Sequence, residues 1–181
     1  FTNGKITDVR EGNAAPQGVK VIKADGKHIY PGFIAPVNAM GLTEVESVRA
    51  TRDSRETGVI NPHVRSIIAY NTDSRIIPTV RSNGVLITQA TPEGGLVTGT
   101  SSVMQLDGWN WEDAAYKKDI AIHFNWPSAA IRSGRRAGGA SEEQQKERYQ
   151  SQIAEIKSYF LEAKSYAEVS KVTVFNARFE A

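Results

Sequence analysis

Histidine is the side chain best suited to bind a metal or move a proton near neutral pH, and this chain has three: His28, His63 and His123. A hydrolytic zinc site usually needs three protein ligands and one open position. The histidines stand far apart in sequence, with no His-x-His or His-x3-His spacing. A metal site built wholly from these residues is therefore not expected. His28 reads instead as a strand-edge side chain and His63, just after Pro62, as a helix-start residue. A second chemical candidate is the run from Pro92 to Ser102. Gly94 and Gly99 have the spacing of a phosphate loop, but Thr100 stands where the phosphate-binding lysine belongs. What remains is a turn whose N–H groups, at Gly94, Gly95, Gly99 and Thr100, could line an anionic or carbonyl-bearing ligand.

Trp109 and Trp111 flank Asn110, with Asp107, Glu112 and Asp113 close by. They could wall a substrate pocket that carries an acid or base. The stronger reading is a tryptophan-anchored turn in which Asn110 or Asp107 caps a short helix. Arg132, Arg135 and Arg136 lie among glycines without an aromatic platform, which suits a solvated loop better than a phosphate or nucleic-acid grip. Ser101 and Ser102 lack the nucleophile-elbow context of a hydrolase serine.

These residues need elements to position them. Residues 1 to about 30 read as short strands and turns, with Asn3-Gly4 and Asp25-Gly26 as tight turns and strands over 5–9 and 19–22. Gly12-Asn13 and Pro16-Gln17-Gly18 mark a loop. Phe33 to Val37 is an apolar run broken by Pro36, as in a buried strand that ends there. Asn61-Pro62 predicts a helix start with Val64, Ile67 and Ile68 on one face. A second helix follows Thr72-Asp73-Ser74, with Ile76, Ile77 and Val80 inward and Asn83-Gly84 at its end; Pro78 fits only in its first turn. Val85–Ala90 is a strand. Val103–Leu106 suits a strand or a short helix, and Ile120–Phe124 a strand. From Ser141 to about Ala167 an apolar stripe of Tyr149, Ile153, Ile156, Phe160, Ala163 and Ala167 predicts a long helix, opened by a Ser141/Gln144 capping box. Strands and helices alternate after residue 30, which predicts a parallel α/β architecture.

Bulk composition narrows the field. The chain of 181 residues is 40% hydrophobic and 23% charged, as in ordinary globular proteins. A formal charge of +2 gives no electrostatic case for nucleic acid. No apolar run approaches the roughly 20 residues of a membrane helix. With no cysteine there are neither disulfides nor thiolate metal sites. The chain starts on Phe1 rather than Met, with no signal-like segment, and its last residues stop inside an apolar/polar pattern without a cap, so it reads as a fragment.

The run Gly26-Lys27-His28-Ile29-Tyr30-Pro31-Gly32-Phe33-Ile34 resembles the segment leading into the first barrel strand of the amidohydrolase superfamily. There the segment continues with an acidic residue and a metal-binding His-x-His pair. Here it reads Ala35-Pro36-Val37-Asn38-Ala39, so Val37 and Ala39 occupy the expected histidine positions. The stretch from about Asn61 to Asp113, with its Gly-Gly-Leu run and Leu106-Asp107-Gly108-Trp109-Asn110-Trp111-Glu112-Asp113, is similar to an imidazolonepropionase-like branch. The resemblance implies an α/β fold, a partial TIM (β/α)8 barrel. Residues 1–30 would supply a piece of a composite β-sandwich and 31–181 the first part of the barrel. A whole barrel takes about 250 residues, and roughly 150 remain after residue 30.

The implied activity is hydrolysis of a non-peptide C–N bond, of the cyclic amide or amidine type, by metal-activated water. The cofactor would be a zinc-like divalent metal held by residues outside this chain. Without the His-x-His pair, the alternative is an inactive barrel that binds or scaffolds. The expected partner is a small-molecule substrate, with no nucleic acid and no membrane span; a homo-oligomer is open, as are a cytoplasmic and an exported location.

Overall fold

The computed structural model describes residues 2–9, 11–12, 15, 17–133, 138–169 and 174–180. Two compact units are present, Phe1–Pro31 and Gly32–Ala181. In the first, Asn3-Gly4 forms the predicted turn, with reciprocal N–H···O bonds between Thr2 and Lys5 of 2.9 and 3.1 Å. Asp25-Gly26 also turns, closed by Lys27 N–H on Ala24 O. The strands expected over 5–9 and 19–22 do not form among the described residues. Ile6, Val9, Val21 and Ile22 are all exposed, and short extended segments without a packing surface have little to stabilise them. Asn13 and Pro16 of the expected loop lie outside the described residues.

The second unit is built on a four-stranded sheet in the order β1-β2-β3-β4: β1 Phe33–Asn38, β2 Val85–Ala90, β3 Val97–Gln105 and β4 Ala115–Phe124. β1 and β2 are parallel, while β2–β3 and β3–β4 are antiparallel. The expectation of a parallel α/β architecture thus holds for β1 and β2 and is corrected for the rest of the sheet, where the other two pairings run antiparallel. Alternating element types do not specify strand direction, and the chain reverses at the 91–96 turn. Pro36 lies on β1, an edge strand, where its missing N–H is tolerated.

Helix α1, Ile76–Ser82, forms where predicted and buries Ile77. Pro78 is its third residue, where an N–H would have no intrahelical acceptor. The predicted strand over 85–90 is β2. Residues 103–106 resolve as strand through Gln105, and β4 begins five residues before the predicted Ile120. The helix expected from Asn61 is instead a turn followed by a 3-10 turn, Ser66–Ala69. Ile67 is fully buried whereas Ile68 is 56% exposed, so the two do not share a face. The reason is backbone bonding. Asn61 N–H donates to Val97 O and Val64 O accepts from Thr100 N–H, so both groups are spent on β3.

That pairing explains the glycine run. β2 pairs with β3 only over 102–105, which leaves the start of β3 with a free edge. Residues 59–65 fill it, with parallel bridges Ile60–Val97 and Arg65–Thr100. Gly99, at φ +120°, carries the accompanying irregularity of β3. A Cβ there would collide with the Val64 carbonyl oxygen. The glycine-rich turn expected within Pro92–Ser102 therefore ends at Leu96, and Gly99 and Thr100 belong to β3.

Leu42, Ile67, Tyr70, Ile77, Ala90, Met104 and Leu106 form the main core. A second cluster joins Ile60, Leu96 and Val97 to Ile156 of α3, Glu142–Glu168. The Ser141/Gln144 capping box is present. Ile153 and Tyr159 flank Ile156, but Phe160 is exposed, so the predicted stripe buries only its middle. Gly99→Ala should cost about 3 kcal/mol of stability, combining left-handed strain with the carbonyl clash. Urea denaturation checks this; an unchanged midpoint would contradict the close approach.

Candidate functional site

A cleft of about 320 Å³ opens at the carboxyl ends of the parallel pair β1 and β2. β1 supplies Val37 and Asn38, and the turn after β2 supplies Thr91, Pro92, Glu93 and Gly94. The end of β4 adds His123 and Phe124, followed by Asn125. The sheet therefore gathers residues more than eighty positions apart around one opening.

Most of the polar groups there are already committed. Asn38 Nδ2 donates to Ala35 O at 2.9 Å and to Thr88 Oγ1 at 2.8 Å, and its Oδ1 accepts from Met40 N–H. Asn125 Nδ2 donates to Gly95 O at 3.1 Å. Glu93 faces Arg55 at 3.5 Å with both side chains well exposed, a pair worth little. His123 is different. Its Nε2 lies 2.7 Å from Ser101 Oγ, which accepts from Gln89 Nε2 at 2.9 Å. Burial pushes the imidazole below its ordinary pKa of 6.5 by disfavouring the charged form. Ser101 has no solvent exposure. Its hydroxyl cannot reach a substrate, so the Ser–His contact is not a nucleophile–base pair.

Val37 has φ +43°. A β-branched residue in the left-handed region is a true outlier, costing about 1–2 kcal/mol. The strained residue lies on the cleft, 62% exposed, at one of the two positions where the resemblance expects a histidine. Ala39, the other, packs against the main core.

Of the residues singled out from sequence, Gly94 lines the cleft. Gly95, at φ +61°, sits where a Cβ would come within 2.6 Å of Val59 O. Gly99 and Thr100 are inside β3. The N–H groups of Leu96, Val97 and Thr100 bond Val59 and Val64, so this run does not present free donors at those positions. Thr100 Oγ1 instead donates to Asp119 Oδ1 at 3.2 Å, beside the Arg65–Asp119 pair, where Nε and Nη2 lie 3.0 and 2.6 Å from Oδ2. Arg65 holds the Asp119 carboxyl below the usual carboxylate range.

Trp109 is 89% exposed, and Trp111 begins α2, Trp111–Ala114, with Lys118 Nζ 5.2 Å from its ring centroid. Asn110 caps α2 by accepting from Asp113 N–H. Neither tryptophan lines the cleft. His63 lies at a separate groove with Pro62 and Arg65. Arg132 is tied through its backbone to Gln145, while Arg135 and Arg136 lie outside the described residues. No spacing in the sequence brings Gln89, Glu93 and His123 together; the fold does so through β2, the turn after it and β4.

No group of three or more His, Cys, Asp or Glu that could hold a metal ion occurs among the described residues. Two outcomes follow. Val37→Asn, which tolerates the left-handed region, should stabilise the fold by about 1 kcal/mol in urea titration. For His123, the unfolded chain binds more protons than the folded one below the ordinary pKa. Stability is therefore whole above about pH 6.5 and falls as pH drops through the depressed folded value. His123→Gln should flatten that part of the stability–pH curve.

No family model and no curated protein matches the chain. Among solved structures, the crystal structure of an amidohydrolase from Thermotoga maritima MSB8 is similar, with a TM-score of 0.76 and 21% identity. The match covers 99% of this chain and 48% of that one, so the chain spans about half the length of its structural neighbour. At this identity the likeness speaks for fold. The chain has an amidohydrolase-like, mixed α/β fold.

Proposed function

We infer that the chain is part of an amidohydrolase-like hydrolase that acts on a non-peptide C–N bond of the cyclic amide or amidine type, on an imidazolonepropionase-like plan. In this reading β1 and β2 are the first strands of a (β/α)8 barrel, β3 and β4 are an antiparallel excursion from it, and residues 1–30 belong to a composite β-sandwich. The observation that carries the reading is the place of the cleft, at the carboxyl ends of the parallel strands, where barrel enzymes keep their sites. Small, mostly uncharged lining groups suit a small-molecule substrate.

A divalent metal does not fit the residues described. Val37 and Ala39 offer no ligand atom, His123 Nε2 is engaged by Ser101 and Gln89, and Glu93 stands without a second carboxylate or imidazole that completes a set. Water activation by a zinc-like ion is accordingly proposed only with ligands from outside these residues. The same observation favours a second reading, an amidohydrolase-fold protein that has lost hydrolysis and binds or scaffolds.

Expression of the complete open reading frame, followed by metal analysis and assay on cyclic amides, separates the two. About one or more zinc or manganese ions per chain with turnover that chelation abolishes supports the hydrolase. A folded, metal-free protein without turnover supports the binding protein.

A further inference from the structure

Hydrogen-bond bookkeeping in the cleft leaves one side-chain donor open. Both hydrogens of Asn38 Nδ2 are spent on Ala35 O and Thr88 Oγ1. Asn125 Nδ2 is spent on the Gly94 and Gly95 carbonyls, at 3.4 and 3.1 Å, and the Thr91 hydroxyl on Gln89 O. Glu93 only accepts when ionised. That leaves His123.

Which of its ring nitrogens carries the proton is decided below it. A glutamine Nε2 can only donate. Gln89 Nε2 points at Ser101 Oγ, 2.9 Å away, and also lies 3.4 Å from His123 Nε2. Ser101 Oγ, having accepted from Gln89, has a single hydrogen, for which His123 Nε2 at 2.7 Å is a much closer acceptor than Ala121 O at 3.4 Å. That nitrogen thus faces two donors and must offer a lone pair. The ring proton then belongs on Nδ1, for which the structure gives no hydrogen bond. The sealed side-chain polar atoms lacking a partner, among the described residues, are Tyr70 Oη and Thr98 Oγ1; Nδ1 is not one of them, so it is not sealed from solvent, and His123 lines the cleft.

We propose that His123 is the ligand-orienting residue of the cleft, held by the Gln89–Ser101 relay as the Nδ1–H tautomer to donate to a neutral carbonyl oxygen. The Glu93 carboxylate in the same cleft disfavours an anionic acceptor and can itself accept a ligand N–H. The specificity is for an uncharged carbonyl over its carboxylate counterpart. Gln89 and Ser101 act through His123 as positioning residues. The proposal rests on the cleft being the ligand site, but it fails separately from the hydrolase reading, because the tautomer is read without metal or turnover.

The test is long-range 1H–15N correlation of the histidine rings in the 15N-labelled chain, with the His123 signals identified by their loss in His123→Gln. The expected pattern is Nδ1–H, switching to Nε2–H in Gln89→Glu, where the amide donor becomes an acceptor. Should that variant not fold, Ser101→Ala breaks the same relay. An Nε2–H pattern in the unaltered protein overturns the proposal. Acetamide and acetate then serve as probes. Acetamide should move the His123 ring signals while leaving those of His28 and His63 in place, with acetate much weaker. Gln89→Glu should weaken acetamide about fivefold, the worth of one neutral hydrogen bond. No response to acetamide, or a stronger response to acetate, also overturns it. A metal-loaded, active hydrolase whose His123 is Nε2–H would refute the relay alone.

Discussion

The shared edge of β3 is the constraint on which the second unit depends. This strand is nine residues long, yet β2 pairs with only its last four, 102–105. A strand start buried without partners would leave unpaired backbone groups, each costing on the order of 1–3 kcal/mol. Residues 59–65 supply the missing partners through Val59 O, Asn61 N–H and Val64 O. The price is a close approach that only glycine permits at Gly95 and Gly99. With β3 anchored on both edges, β4 pairs with it towards both of its ends, around an irregularity at 118–120, which brings His123 beside Ser101 and Gln89.

The same arrangement accounts for the two cores. Ile60, Leu96 and Val97 lie where the 59–65 segment meets β3, and Ile156 of α3 covers them. Ile67, placed by the turn that follows, enters the main core with Met104 and Ala90, while Ser66 Oγ donates to Ala90 O. The Arg65–Asp119 pair ties the segment onward to β4, at a residue with φ +48°. Strain at Asp119 and at Val37 marks two places where the sheet departs from regular geometry, one on each of its edge strands.

Local signals were readable and pairings were not. The capping box at Ser141, the Asn-Gly stop after α1 and the apolar run of β2 each depend on neighbours within a few residues, and each appears where the sequence puts it. The 94–99 glycines misled because glycine signals a loop and a strand irregularity equally well. The 61–69 segment misled because its helical spacing was overridden by bonds to a strand more than thirty residues later. The candidate site was legible at Gly94, at His123 as one of three histidines and, through resemblance, at Val37. Gln89, Ser101 and His123 come together by the register of three strands, which no spacing in the sequence encodes.

Native-state hydrogen exchange at the Val97 and Thr100 amides tests this account most directly. If the 59–65 segment completes the edge of β3, both amides should exchange as slowly as those in the β2–β3 ladder, reporting the free energy of opening the whole unit. Exchange at the rate of exposed turns would mean that the start of β3 is unpaired, and the positioning of His123 would then need another cause.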